Sequence, residues 1–271
     1  MIYSLLADRA VVRVSGEDRF KFLQGLLTND VNKLKFDEGL YACMLTPQGK
    51  YYADFFLCLD ESGILLDIPA IRQEEILKKL NIYKLRSAVT VTSCPEYRVV
   101  SFLSYIAAPR VFADPRSSVL GMRGFILDDQ FIEGMEHDQN AYDLARITNY
   151  IAEGDKDLIP EQAFLLEYGF DSLNAIDYKK GCYIGQELIA RTHYSGAIRK
   201  QIVRIESIDN LPALGTIIYA LGKKIGMVCS SVGNIGLALI RTEDVLELSA
   251  EEKFITNGQE IRLIFKEQEH V

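Results

Sequence analysis

The stretch Lys180-Gly181-Cys182-Tyr183-Ile184-Gly185-Gln186-Glu187 sets one thiol between two glycines, directly after Lys179 and Lys180. The thiolate is the nucleophilic and metal-ligating form of cysteine, and nearby positive charge favours it. These neighbours predict a Cys182 pKa below that of an isolated cysteine, with Lys180 as the activating cation. The glycines admit a tight backbone path that a Cβ would block, which suits a reactive or ligand-binding loop. The residues alone leave a second reading open, in which Cys182 is a small apolar side chain buried in a turn. Downstream lie Arg191, His193, Arg199 and Lys200. His193 could serve as ligand or base, the roles an imidazole takes. Without a second His or Cys at matching spacing, a structural loop role is favoured.

The other thiols, Cys43, Cys58, Cys94 and Cys229, make five in all, an odd number at wide spacings. No CxxC or paired Cys/His spacing marks a self-contained zinc or iron–sulfur site, so no intrinsic metal is expected. Reduced thiols in an intracellular compartment are the simpler reading. The N-terminal MIYSLLADRAVVRV has no basic leader ahead of a secretory apolar core, and no apolar run reaches membrane-spanning length. The expectation is a cytoplasmic protein, or a processed mitochondrial-matrix protein in a eukaryote, with no membrane partner. Composition is that of a globular domain, 48% hydrophobic and 25% charged over 271 residues. Net charge is −8, against general nucleic-acid binding. Residues 179–204 nevertheless carry +5, leaving −13 for the rest. Such a field suits a small anionic ligand or a local RNA contact. No Ser-His-Asp arrangement or phosphate-binding glycine fingerprint is present.

The elements around these groups read as α+β followed by all-β. Ala10–Val14 is a strand, and Ser15-Gly16-Glu17-Asp18 is an S-x-x-D cap for a helix through Phe20, Leu23 and Leu27. Leu40–Leu45, Tyr51–Leu59 and Ile64–Ile68 form a meander on the turns 46–50 and 60–63. Its middle strand alternates, with Ala53, Phe55, Leu57 and Leu59 on one side and Tyr52, Asp54, Phe56 and Cys58 on the other. Asp54 is therefore either in a pocket or on the surface. A helix over Ile71–Leu85 carries Ile76, Leu77 and Leu80 as its apolar stripe. Strands over Val89–Thr92 and Arg98–Leu103, a turn at 114–116, a helix over Asn140–Tyr150 and a polar loop at 152–160 follow. From Gln201 onward, short strands between glycine-rich turns suggest a small barrel or sandwich.

KGCYIGQE resembles the KGCYxGQE signature of the YgfZ-type folate-binding family, relatives of the glycine-cleavage aminomethyltransferase (T-protein). The longer run to Lys200 is most similar to the branch serving iron–sulfur cluster assembly. FLQGLLTNDV (Phe22–Val31), LTPQGKYYADF (Leu45–Phe55), Asp114-Pro115-Arg116 with Leu120-Gly121-Met122-Arg123, and Glu167 match further family blocks. The resemblance implies an aminomethyltransferase-like folate-binding α+β body of two intertwined subdomains at 1–200, and a C-terminal β-barrel at 201–271.

It also implies tetrahydrofolate, or a derivative, as ligand. Glu167 would accept the paired N–H groups of the pterin. Asp54 falls where T-proteins carry a catalytic acid. Asn29, Tyr178 and Arg191 complete the folate contacts, with Tyr41 and Tyr52 as further stacking candidates and the basic segment around Lys180 and Arg191 meeting the anionic tail. Cys182, Lys180 and Asp54 are the groups expected to carry chemistry. Cys182 is also a candidate ligand of a cluster shared with an assembly or client protein, since one thiolate cannot complete a cluster site. The reading favours an assembly factor over an enzyme. A folate-dependent aminomethyl or one-carbon transferase and a tRNA-modification factor are the alternatives. The T-protein's Arg-Leu-Glu is here Leu165-Leu166-Glu167, and T-proteins lack the KGCYxGQE block, which weakens the transferase reading.

Overall fold

The computed structural model describes residues 1–127, 134–246 and 252–266. The expected barrel domain at 201–271 therefore includes stretches, 247–251 and 267–271, outside the described residues. The chain opens with strand β1 (Ile2–Leu5) and at once leaves its sheet. It builds a second sheet from β2 (Arg9–Ser15), β3 (Leu40–Leu45), β4 (Tyr51–Asp60), β5 (Gly63–Pro69) and β6 (Thr90–Ser93), in the order β3-β4-β5-β2-β6. It then returns to the first sheet with β7 (Tyr97–Phe102), β8 (Val111–Ala113), β9 (Met122–Leu127) and β10 (Glu136–His137), in the order β10-β1-β7-β9-β8. This excursion and return intertwines the two sheets of the body.

Helices α1 (Arg19–Gln24) and α2 (Gln73–Lys84) cover the outer face of the second sheet. Phe22, Leu23, Ile76 and Leu80 pack there on Val12, Val14, Phe55, Leu57 and Leu66. The strand period of two sends the intervening residues Val11, Phe56, Cys58 and Leu65 inward. Both faces of β4 are thus buried, and Asp54, on the inward parity, is fully enclosed. The α1 cap differs from expectation. Asp18 precedes the helix, but its carboxylate accepts from the Ala88 backbone N–H at 2.7 Å and so ties down the loop before β6.

Helix α3 (Ala141–Thr148) and the short α4 (Gly154–Asp157) follow. Residues 152–160 are not a surface loop: Glu153, Asp157 and Leu158 are buried because the inner charges of the body need partners there. Helix α5 (Gln186–Ser195) stands where sequence suggested only a loop. A closed barrel completes the fold, from β11 (Lys200–Ser207), β12 (Ile217–Ala220), β13 (Lys223–Val232), β14 (Ile235–Arg241), β15 (Phe254–Thr256) and β16 (Gln259–Ile264) in the order β11-β14-β13-β12-β15-β16, with α6 (Thr242–Leu246) between β14 and β15. Its interior is Val203, Ile205, Ile218, Val228, Ala238 and Ile240. No described helix is long and apolar enough to cross a membrane.

Candidate functional site

Three sequence blocks far apart in the chain meet at the Cys182 loop. Lys180 is only 8% exposed, and its ammonium donates to the carbonyls of Gln24, Leu27 and Asn29 at 2.9, 2.6 and 2.8 Å. These carbonyls end α1 and the turn after it, where backbone acceptors lack helical partners. The Asp177 N–H donates to Thr28 O at 3.0 Å and the Ile184 N–H to Gly25 O at 3.4 Å. Thr28 Oγ1 donates to Ala175 O at 2.6 Å. Asn29 Nδ2 spans Tyr41 O at 2.9 Å and Asn174 O at 2.7 Å. The third block is the β3–β4 hairpin. Gly185 enters α5 at φ +81°, and a Cβ on it would lie 2.6 Å from Thr46 O and 3.1 Å from Gly49 Cα. A side chain there would have to push the hairpin away.

Cys182 rides on this frame and is exposed, whereas Cys43, Cys58, Cys94 and Cys229 are buried. Burial raises the pKa of all four, that of Cys58 to about 12. Lys180 does not act as sequence suggested. Its donors are engaged by carbonyls, and burial brings its own pKa down to about 8. Its role is to hold the loop onto the 24–29 turn. His193 stacks on Tyr178 with ring centroids 3.8 Å apart, and no group of three or more His, Cys, Asp or Glu side chains converges as a metal site among the described residues. Arg191 is exposed on α5.

Asp54 lies at the centre of a different constellation. It accepts from Arg9 Nη1 at 2.9 Å and Tyr41 Oη at 3.1 Å, and Tyr51 Oη stands 3.4 Å away. Arg9 also donates to Asp67, which takes Arg123 Nε at 2.7 Å. Beyond lie Arg116, held by both oxygens of Asp114, and Glu153, which takes Arg116 Nη1 at 2.8 Å and the Tyr142 hydroxyl. Burial alone would raise the Glu153 pKa, but Arg116 and Arg123 outweigh it and hold the carboxylate well below its usual range. Gly154 closes the last approach, since a Cβ there would sit 2.2 Å from Asp54 Oδ1. Sequence reading missed this network. Its signal was present as charges at inward parity in apolar strands, such as Asp67 between Leu66 and Ile68.

Glu167 is elsewhere, in the turn Leu165–Tyr168, where Lys200 donates to it at 3.0 Å. It lines three cavities. The largest, ≈ 790 Å³, lies between body and barrel, with Tyr150, Leu166, Leu173, Ile202 and Lys200 among its walls. The others are ≈ 180 Å³, beneath α5, and ≈ 200 Å³, toward the barrel. Neither Asp54, Asn29, Tyr178, Arg191 nor Cys182 lines any of the three. The large cavity is of ligand size, with both polar and apolar side chains in its walls, and Glu167 offers it an acceptor for a flat, N–H-bearing heterocycle only once Lys200 lets go. Asp54 does not fit, because a ligand atom could reach it only by displacing Arg9, Tyr41 and Tyr51.

Residues 199–265 match the family described as CAF17, C-terminal beta-barrel domain. The chain is 34% identical over 275 residues to the iron-sulfur cluster assembly factor IBA57, mitochondrial, of Homo sapiens, covering 89% of this chain and 77% of that protein. It is 35% identical over 298 residues to the IBA57 homolog of Mycosarcoma maydis, covering 88% and 73%. Among solved structures, the glycine cleavage system aminomethyltransferase T from Bartonella henselae superposes with a TM-score of 0.73 over 98% of this chain and 85% of that one. At 13% identity that likeness bears on the fold alone.

Proposed function

We propose, since the chain belongs to the YgfZ-type family that includes the IBA57 iron–sulfur cluster assembly factors, that it supports the assembly or repair of iron–sulfur enzymes and binds tetrahydrofolate while doing so. The observation that carries this reading is the exposed Cys182 on a loop pinned from two sides, with the other four thiols buried. A rigid, accessible thiol can lose its proton to a base in solution and ligate iron without reorganising the fold. Cluster chemistry then needs thiolates from a second protein or a small thiol. Lys180 is the positioning residue of this site, and Glu167 the folate contact in the ≈ 790 Å³ cavity.

Aminomethyl transfer is the less favoured reading. Its acid, Asp54, is enclosed in ion pairs and lines no cavity described above. A tRNA contact is also less favoured, because Lys180 of the basic segment is engaged inside the protein and Lys200 is paired with Glu167. The relatives are named mitochondrial. We place this protein in the cytoplasm, or in the matrix if its source is eukaryotic.

Calorimetry with tetrahydrofolate tests the ligand. Glu167→Ala should weaken binding by about 1.5–3 kcal/mol, the worth of a hydrogen bond to a charged group. Unchanged affinity would remove Glu167 from the site. Turnover of a one-carbon folate by the purified protein would favour the transferase instead.

A further inference from the structure

The ≈ 200 Å³ cleft between body and barrel gathers Lys200 of β11, Lys224 of β13 and Arg241 of β14 around one acid, Glu167. We propose that this cleft is a binding site for a phosphate group, free or carried by a small phosphate ester, and that its occupant competes with Glu167 for Lys200. The site is separate from the folate reading above and does not depend on it.

The sheet register supplies the first support. Lys200 and Arg241 are directly opposed partners of the β11–β14 pair. Side chains so placed stand on one face with Cβ atoms roughly 4.5–5.5 Å apart, and like charges there repel. A bound anion between them removes that repulsion. The other ion pairs of the site leave this role open. Lys200 has only Glu167, at 3.0 Å. Asp244, the acid nearest Arg241, is held by Lys223 at 2.6 Å and stands 3.8 Å from Arg241. Lys224 is in no ion pair among the described residues. Cations lining a concave site raise the local concentration of anions.

Charge and shape choose the ligand class. Three cations against one acid leave the walls at +2, the complement of a dianion. The opposed Lys200 and Arg241 converge on one compact group, and a guanidinium meets phosphate oxygens through two parallel N–H donors. A phosphoryl group satisfies both conditions, whereas a dicarboxylate spreads its two charges over separate ends. Ile159, Met227 and Leu239 supply apolar wall for the carbon part of an ester. Lys224 and Arg241 are exposed, so their replacement does not open the core.

The test is calorimetry on the full chain, without folate, at about pH 8, where the phosphoryl group is dianionic. Inorganic phosphate, glycerol 3-phosphate and succinate are the probes. Phosphate should bind, and more weakly as salt is raised. Lys224→Ala/Arg241→Ala, checked for an unchanged unfolding midpoint, should weaken it about tenfold, the scale of two partly exposed ion pairs. Removal of two cations from helix α2, in Lys78→Ala/Lys84→Ala, should leave affinity unchanged. Glu167→Gln should tighten phosphate about threefold by releasing Lys200, an effect opposite in sign to that of the barrel variant. Affinity for glycerol 3-phosphate equal to that for phosphate identifies the free ion as occupant, and a several-fold gain identifies an ester. No phosphate binding, equal losses in the barrel and α2 variants, no gain in Glu167→Gln, or succinate binding as tightly as phosphate overturns the proposal. Each of these results leaves the folate reading standing, because no folate is present.

Discussion

At the scale of residues, accessibility separates Cys182 from the other thiols. In the native protein a thiol reagent should modify one cysteine rapidly, and five after denaturation. Cys182→Ser should reduce the native count to none, and rapid labelling of a second thiol would show that the buried set opens. Asp54 gives the opposite case. Its sequence position suggests catalysis, yet its geometry is that of a buried ion-pair partner. Removing one member of such a pair strands the other charge in the interior, at about 3–5 kcal/mol. Asp54→Ala should show a loss of that size in denaturant unfolding, because Arg9 would keep only Asp67. A loss below 1 kcal/mol would mean that water reaches Arg9 and that the site is more open than described.

At the scale of elements, the decisive feature is the clamp between the 180–185 segment and the 24–29 turn. A lysine that acted on Cys182 through charge alone would be replaceable by arginine. One that caps three converging carbonyls is not, because a planar guanidinium cannot reproduce that tripod. Both Lys180→Arg and Lys180→Met should therefore lose stability, by about 1–3 kcal/mol for the stranded acceptors. The pH dependence has a definite sign. The folded-state pKa of Lys180 is about 8, below the 10.5 of free lysine, so between those values the unfolded chain binds a proton that the folded chain does not. Stability from this group rises with pH across that window. The advantage over Lys180→Met should grow from pH 8 toward pH 10, and a shrinking advantage would contradict the burial assigned to the ammonium. The strands of the meander were legible in sequence because alternation and turn residues are local signals. Helix α5 was not. Gly181 and Gly185 suggested a loop, but Gly185 and Gly196 bracket a helix, both in the left-handed region at φ +81° and +65°. Strands β1 and β10 are short and pair with each other across the whole body, so no local pattern marks them. The Asp54 constellation was hidden for the same reason, since Arg9 and Asp54 are 45 residues apart in sequence.

At the scale of the molecule, Asp157 is one of the groups that tie body to barrel, beside the Lys200–Glu167 pair. Asp157 Oδ1 accepts from the Ser230 N–H and hydroxyl at 2.8 and 2.6 Å, while Oδ2 takes Arg146 at 2.7 Å. Ser230→Ala should cost only about 1 kcal/mol and leave the barrel seated. Asp157→Ala should loosen it, seen as faster proteolysis near residue 200. Equal proteolysis of the two variants would place the joint elsewhere. The central claim is that this assembly presents Cys182 for iron–sulfur maturation. It is tested most directly by the activity of an iron–sulfur enzyme in cells lacking the protein, complemented with either the unmodified chain or Cys182→Ser at matched abundance and matched unfolding midpoint. The unmodified chain should restore activity and the serine variant should not. Full restoration by Cys182→Ser would contradict it.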